Sequence, residues 1–96
     1  GPELNLYDKS HHNRRAELQV SDSGPSLTLY DENRKKHIAL FSNKIGQGLN
    51  VYDAKGKVRA AMAVDKDGPN FRLLDETGKV IWSALPTAPE AKEEKK

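Results

Sequence analysis

The sequence contains no cysteine among its 96 residues. Disulfides therefore cannot compensate for the thin core of so short a chain. The sequence also does not indicate whether the protein resides in an oxidising or a reducing compartment. No apolar run has the length of a membrane span or a signal peptide, so we expect no membrane insertion by this segment. Charged residues make up 31% of the chain, but both signs are interspersed and the net charge is only +2. Without a concentrated basic patch, we expect no nucleic-acid partner.

The sequence does contain an internal repeat, which bears directly on the fold. Asp8, Asp31, Asp53 and Asp75 head equivalent blocks that are 23, 22 and 22 residues apart. Each block has an apolar alternation before the aspartate, a short polar turn after it, and a second alternation. Alternation over short runs bounded by Gly, Pro, Asp and Asn is typical of half-buried strands. We therefore predict an all-β fold, an antiparallel meander of four β-hairpin repeats of about 22 residues.

The repeat predicts how the chain is divided. One β-hairpin repeat domain is expected over residues 1–86, followed by a disordered charged tail over residues 87–96. The predicted repeats span residues 4–26, 27–48, 49–70 and 71–86. Gly1-Pro2 lies in phase with the later Gly-Pro turns, so it is either native sequence or a cleavage scar. Terminal repeats often cap an array, and Trp82 in the last block is interpreted as a core or capping residue.

One face of the predicted sheet is apolar along its whole length. Its members are Leu4, Leu6, Leu27, Leu29, Leu49, Val51, Phe71 and Leu73 on the first strands and Ala16, Leu18, Val20, Ile38, Leu40, Ala60, Met62, Val64 and Trp82 on the second strands. A single meander cannot leave such a face in water. We therefore expect the sheet to close on itself, to fold into two layers, or to pack through self-association, for example as a trimeric prism.

Two hairpin registers are compatible with the sequence. A three-residue loop with a glycine bulge pairs Val51 with Arg59, whereas a four-residue connection pairs Val51 with Val58. The second register is favoured because it places apolar residues opposite each other.

The turn sequences predict local conformation. The aspartate of each turn is expected to accept backbone N–H bonds, which explains its recurrence without a ligand. Asp53–Gly56 and Asp75–Gly78 supply glycine where positive φ is needed. Where glycine is missing, at His12-Asn13 and Asn33-Arg34, we predict that asparagine takes the left-handed conformation.

The repeat also resembles known sequences. The pattern Gly-Pro-x-Leu-x-Leu-Tyr-Asp-x-x-Gly-Lys-Val-Arg-Ala is clearest over residues 68–84 together with 52–64. It resembles the repeat region of uncharacterised bacterial proteins that often begin with a hydrophobic anchor and a coiled segment. The resemblance covers residues 1–86 and implies an extracytoplasmic location in the bacterial envelope, without an established activity. A more limited similarity, through Tyr52-Asp53-x-x-Gly56-Lys57, is to the YD (RHS-type) repeats of bacterial shell and toxin proteins.

Catalytic and metal-binding patterns are not found. There is no cysteine nucleophile and no serine in a Gly-x-Ser-x-Gly turn, so we predict no enzymatic activity. His11, His12 and His37 are interpreted as exposed turn residues, since adjacent histidines point in divergent directions. Asp65 and Asp67 lack the remaining ligands of a calcium loop. No metal and no cofactor are therefore expected.

The residues with most binding potential are six side chains predicted on the solvent face beside an asparagine and threonine column: Tyr7, Tyr30, Tyr52, Arg15, His37 and Arg59. Aromatic residues and arginine are enriched at contact sites, although cross-strand packing alone explains such a ladder. The leading interpretation is a non-enzymatic structural, assembly or adhesion module of a bacterial envelope or fibre protein. Its expected partner is itself or another protein. The alternative is a carbohydrate- or protein-binding module that uses this ladder.

Overall fold

A computed structural model describes residues 2–84. The elements within that range are eight strands: Glu3–Tyr7 (β1), Arg14–Ser21 (β2), Gly24–Tyr30 (β3), Lys36–Ser42 (β4), Gly46–Tyr52 (β5), Val58–Asp65 (β6), Gly68–Leu74 (β7) and Val80–Ser83 (β8). They lie side by side in chain order in one antiparallel sheet. The predicted all-β antiparallel meander is therefore confirmed. Gly1 and the predicted tail over residues 87–96 lie outside the described residues.

The sheet is open and has a single layer. β1 and β8 form its opposite edges, and each strand contacts only its neighbours in the chain. Of the three alternatives that the sequence left open, closure of the sheet and folding into two layers are therefore not found in residues 2–84. Short turns connect each strand to the next, so every strand is added beside the previous one and none returns across a face. A core needs two layers, and the described chain supplies one.

The four hairpin turns are organised by their aspartates. The backbone N–H of Asp53 donates to the Lys57 carbonyl at 2.9 Å. Its Oδ1 accepts the backbone N–H groups of Lys55 at 2.9 Å and Lys57 at 3.0 Å, and the same pair of bonds recurs at Asp31 and Asp75. The Lys57 N–H does most to lower the pKa of Asp53, because it favours the ionised carboxylate. The turn accounts for the recurring aspartate, as predicted.

Positive φ falls three residues after each aspartate, whichever residue stands there. Gly56 and Gly78 have φ of 85° and 93°, and His11 and Arg34 take the equivalent places with φ of 66° each. The prediction that asparagine adopts this conformation is therefore wrong. The hydrogen bonds of the turn fix the position, and Asn33 comes one residue too early to occupy it.

Replacing Arg34 by glycine is expected to stabilise the protein. A side chain at this left-handed position costs about 1–2 kcal/mol, while glycine costs about 0.5–1 kcal/mol of backbone entropy. We expect a net gain of about 0.5–1 kcal/mol in the free energy of unfolding, measured by urea denaturation at fixed protein concentration. Arg34→Ala keeps a Cβ and is the control, for which no gain is expected. Equal stabilities of the two variants would contradict the explanation.

A bulge lies beside every turn. In the third hairpin Val51 pairs with Ala60 and Tyr52 pairs with Val58, so Arg59 is the extra residue. Both predicted partners of Val51 are therefore wrong, because the bulge takes up one residue between the turn and the regular ladder. Apolar residues still face each other in the observed register. The extra residues of the four hairpins are Arg15, His37, Arg59 and Ile81.

Candidate functional site

The register places all the predicted apolar residues on one side of the sheet, which we call the apolar face. One row across the strands is Leu6, Ala16, Leu29, Ile38, Val51, Ala60, Leu73 and Trp82. The next row is Leu4, Leu18, Leu27, Leu40, Leu49, Met62 and Phe71. Val20 and Val64 belong to a third row with Pro25, Gln47 and Pro69. These rows contain no charged residue.

The apolar face is exposed. Leu6 near one edge is 58% exposed, and Leu40 and Met62 near the middle are 45% and 42% exposed. The alternate residues point to the opposite side, which we call the polar face, and there Thr28 and Ala61 are only 7% and 4% exposed. A half-solvated sheet normally covers its apolar side and exposes its polar side. Here the arrangement is reversed, so the apolar face is the one that needs a partner.

Aromatic residues lie at one end of the apolar face. The rings of Phe71 and Trp82 pack edge to face, with centroids 5.4 Å apart and an interplanar angle of 83°. A shallow apolar depression of about 580 Å³ lies next to Phe71 and is lined by Leu40, Leu49 and Met62 among others. Trp82 stands on the last strand, where a cap was predicted, but its side chain is 48% exposed. It therefore adds to the uncovered surface.

The size of the apolar face can be compared with known interfaces. Eight strands span seven gaps. With gaps of about 4.8 Å and about five residues of about 3.3 Å along each strand, the face has a footprint of roughly 550 Å². Its accessible area is larger, because side chains make it uneven, and stable interfaces bury about 800 Å² per partner. Isolated proteins rarely leave more than a few hundred Å² of contiguous apolar surface in water. The face is therefore large enough for a specific interface.

The six residues predicted as a binding ladder fall into two groups. The tyrosines Tyr7, Tyr30 and Tyr52 lie on the polar face at the turn ends of β1, β3 and β5. Their cross-strand partners are Arg14, Lys36 and Val58. The other three, Arg15, His37 and Arg59, are bulge residues and do not pair with the tyrosines. That the six form one binding face stays a prediction.

The bulge residues make contacts at the turn edge of the sheet. The Arg59 Nε donates to the Leu74 carbonyl at 2.7 Å, and the Arg15 Nε donates to the Tyr30 carbonyl at 3.1 Å. The His37 Nε2 lies 3.5 Å from a carboxylate oxygen of Asp31. These bonds tie a bulge to the end of the next strand or to its own turn. Sequence reasoning missed Arg14, which pairs with Tyr7, because the bulge moves the ladder by one residue.

Metal-binding clusters, membrane-spanning helices and similarity to known proteins give no further indication of function. No three histidine, aspartate or glutamate side chains gather within residues 2–84 in a way that could hold a metal ion. In the same range there is no helix long and apolar enough to cross a membrane. No family model matches this chain, and no curated protein is similar to it.

Proposed function

We propose that this chain is a non-enzymatic assembly module that associates with further copies of itself through the apolar face. The observation that carries the proposal is the exposure of that face across the whole sheet, with Leu40 and Met62 near its centre both more than 40% exposed. Burial of apolar surface is the main favourable term in protein association. An assembly that covers the face supplies the second layer that the single sheet lacks.

The rest of the chain does not provide a cover. Residues 85–96 contain one large apolar residue, Leu85, and are otherwise mostly charged, small or proline. One leucine cannot cover rows that run across eight strands. These twelve residues therefore do not cover the face, and we propose that another molecule does.

The periodic face favours a second copy as that molecule. If one sheet is moved across the other by one hairpin, about 9.6 Å, each apolar residue is replaced by a leucine, a valine or another apolar residue of the next hairpin. Two such faces can pack at the usual distance of about 10 Å between sheets. The absence of charge from the described rows means that no like charges oppose each other at the centre.

The resemblance supports a biological setting for the assembly. From the resemblance to envelope-anchored bacterial proteins, we propose that the module lies outside the cytoplasm and that an associated array of hairpins acts as a spacer or adhesion element. The number of hairpins sets the length of this array.

Light scattering coupled to size exclusion over a dilution series tests the proposal. At high concentration we expect a mass of at least two copies of the 10.7 kDa chain. The mass should fall toward one copy on dilution, because association depends on concentration. A folded monomer at every concentration would refute the proposal.

A further inference from the structure

A pocket opens on the polar face, on the side of the sheet away from the proposed interface. It has a volume of about 330 Å³ and is lined by Tyr7, His12, Arg14, Tyr30 and Arg34. Ligand pockets in proteins begin at about 300 Å³, so this one has room for a single sugar ring. Since the pocket and the apolar face are on opposite sides, association leaves the pocket open.

Glu17 holds two of the pocket residues in place. It is only 9% exposed. Its carboxylate accepts a hydrogen bond from the Tyr30 hydroxyl at 3.0 Å and lies 3.4 Å from Nη1 of Arg14. The guanidinium carbon of Arg14 is 5.2 Å from the centroid of the Tyr30 ring, within the range of a cation–π contact. Burial, and then Glu17, raise the pKa of Tyr30, so its hydroxyl remains a donor.

These residues depart from the pattern of the other hairpins. The residues equivalent to Glu17 are Ala39, Ala61 and Ser83, and those equivalent to Arg14 are Lys36, Val58 and Val80. His12 belongs to a first turn that is one residue longer than the others. Two arginines and two tyrosines meet at this junction. Packing within the sheet acts in the same way on all four hairpins, so it does not explain why only the first hairpin has glutamate and arginine at these positions.

The conformation of Arg34 is set by its turn. Arg34 lines the pocket from a left-handed position, with φ of 66°, where the later turns have glycine. His11 has the same φ in the first turn and does not line the pocket, so the turn accounts for the conformation, and the feature particular to the pocket is the guanidinium group that Arg34 brings to it.

The charge and shape of the pocket define the class of ligand. Among the residues that line the pocket, Arg14 and Arg34 carry positive charge, and Glu17 is the ion-pair partner of Arg14. A guanidinium group matches a planar carboxylate, which it binds with two parallel hydrogen bonds. The exposed ring of Tyr7 offers a flat apolar surface for the face of a sugar ring. We propose that the pocket binds an acidic sugar, with its carboxylate at Arg14 and Arg34 and its ring against the tyrosines.

The test is a titration of the full chain, followed by the NMR shifts of its backbone amides. Methyl glucuronide is the probe, methyl glucoside is its neutral match, and acetate supplies the carboxylate without a ring. We expect saturable shifts at residues around the pocket with the glucuronide, and neither saturation nor comparable shifts with the other two. Equal shifts with the glucoside, or with acetate, would overturn the proposal.

Variants separate binding from folding. Arg14→Gln and Arg34→Gly should each weaken glucuronide binding about tenfold or more, since each removes a charged hydrogen-bond donor. Arg34→Gly also relieves strain, so its loss of affinity cannot come from unfolding. Arg59→Gln changes an arginine in the third hairpin and should bind like the original chain. Unchanged affinity in either pocket variant would overturn the proposal.

Discussion

Lysine in place of both Leu40 and Met62 is expected to dissociate the assembly. The two side chains lie in the same row, separated by Leu49, near the middle of the apolar face. An ammonium group that is buried without a partner costs several kcal/mol. We expect the dissociation constant to rise by at least about 100-fold. Light scattering at a concentration where the original chain is fully associated should then give the mass of one copy.

Ile45→Lys is the matched control. Ile45 is 76% exposed, and it lies in the turn between β4 and β5, outside the rows of the apolar face. The same change of chemistry there should leave the mass unaltered. Circular dichroism would show whether the double variant remains folded as a monomer. A double variant that is folded by circular dichroism and still associated would exclude the apolar face as the interface.

Gly24→Ala is expected to lower the free energy of unfolding much more than Gly68→Ala. Both glycines precede proline, at the start of β3 and β7, with φ of 127° and 108°. This backbone region costs other residues about 1–3 kcal/mol. A Cβ at Gly68 would meet open space, but a Cβ at Gly24 would overlap the carbonyl oxygen of Ser42. We expect the overlap to cost about 1–3 kcal/mol more, since the backbone has to move.

Urea denaturation of both variants at one protein concentration isolates this difference, because the contribution of association is then held constant. The strain from positive φ is common to both variants, so the difference between them reports the overlap with Ser42. Equal destabilisation would mean that β4 shifts away from Gly24 at little cost.

Local patterns predicted the strands well. Alternation with period two, interrupted by Asp, Gly and Pro, depends only on neighbouring residues, and it located the meander and every member of the apolar face. The pairing of Val51 was predicted wrongly, and so was the residue that takes the left-handed conformation in the turns without glycine, which is Arg34 and not Asn33. Both depend on which backbone groups form hydrogen bonds inside the turn, and one extra residue shifts the strand register and the position with positive φ. The sequence left open whether the sheet closes, because closure depends on the twist accumulated over eight strands.

The pocket shows a further limit of the sequence. Tyr7 and Tyr30 were identified as candidates from their regular spacing, but Arg14 and Glu17 were not. Their importance arises from contacts across three strands, which a bulge of one residue determines. The sequence does contain a signal for this pocket, because Glu17 interrupts the repeat at a position where the next two hairpins have alanine. Searching a repeat for its exceptions would have located it.

Because each strand contacts only its neighbours in the chain, the gene can be lengthened one hairpin at a time. An in-frame duplication of a single hairpin adds two strands without requiring any distant residue to adapt. A deletion removes them with equally local effects. The length of the protein can therefore change over evolutionary time in steps of one hairpin, while the surfaces that each hairpin presents are inherited intact.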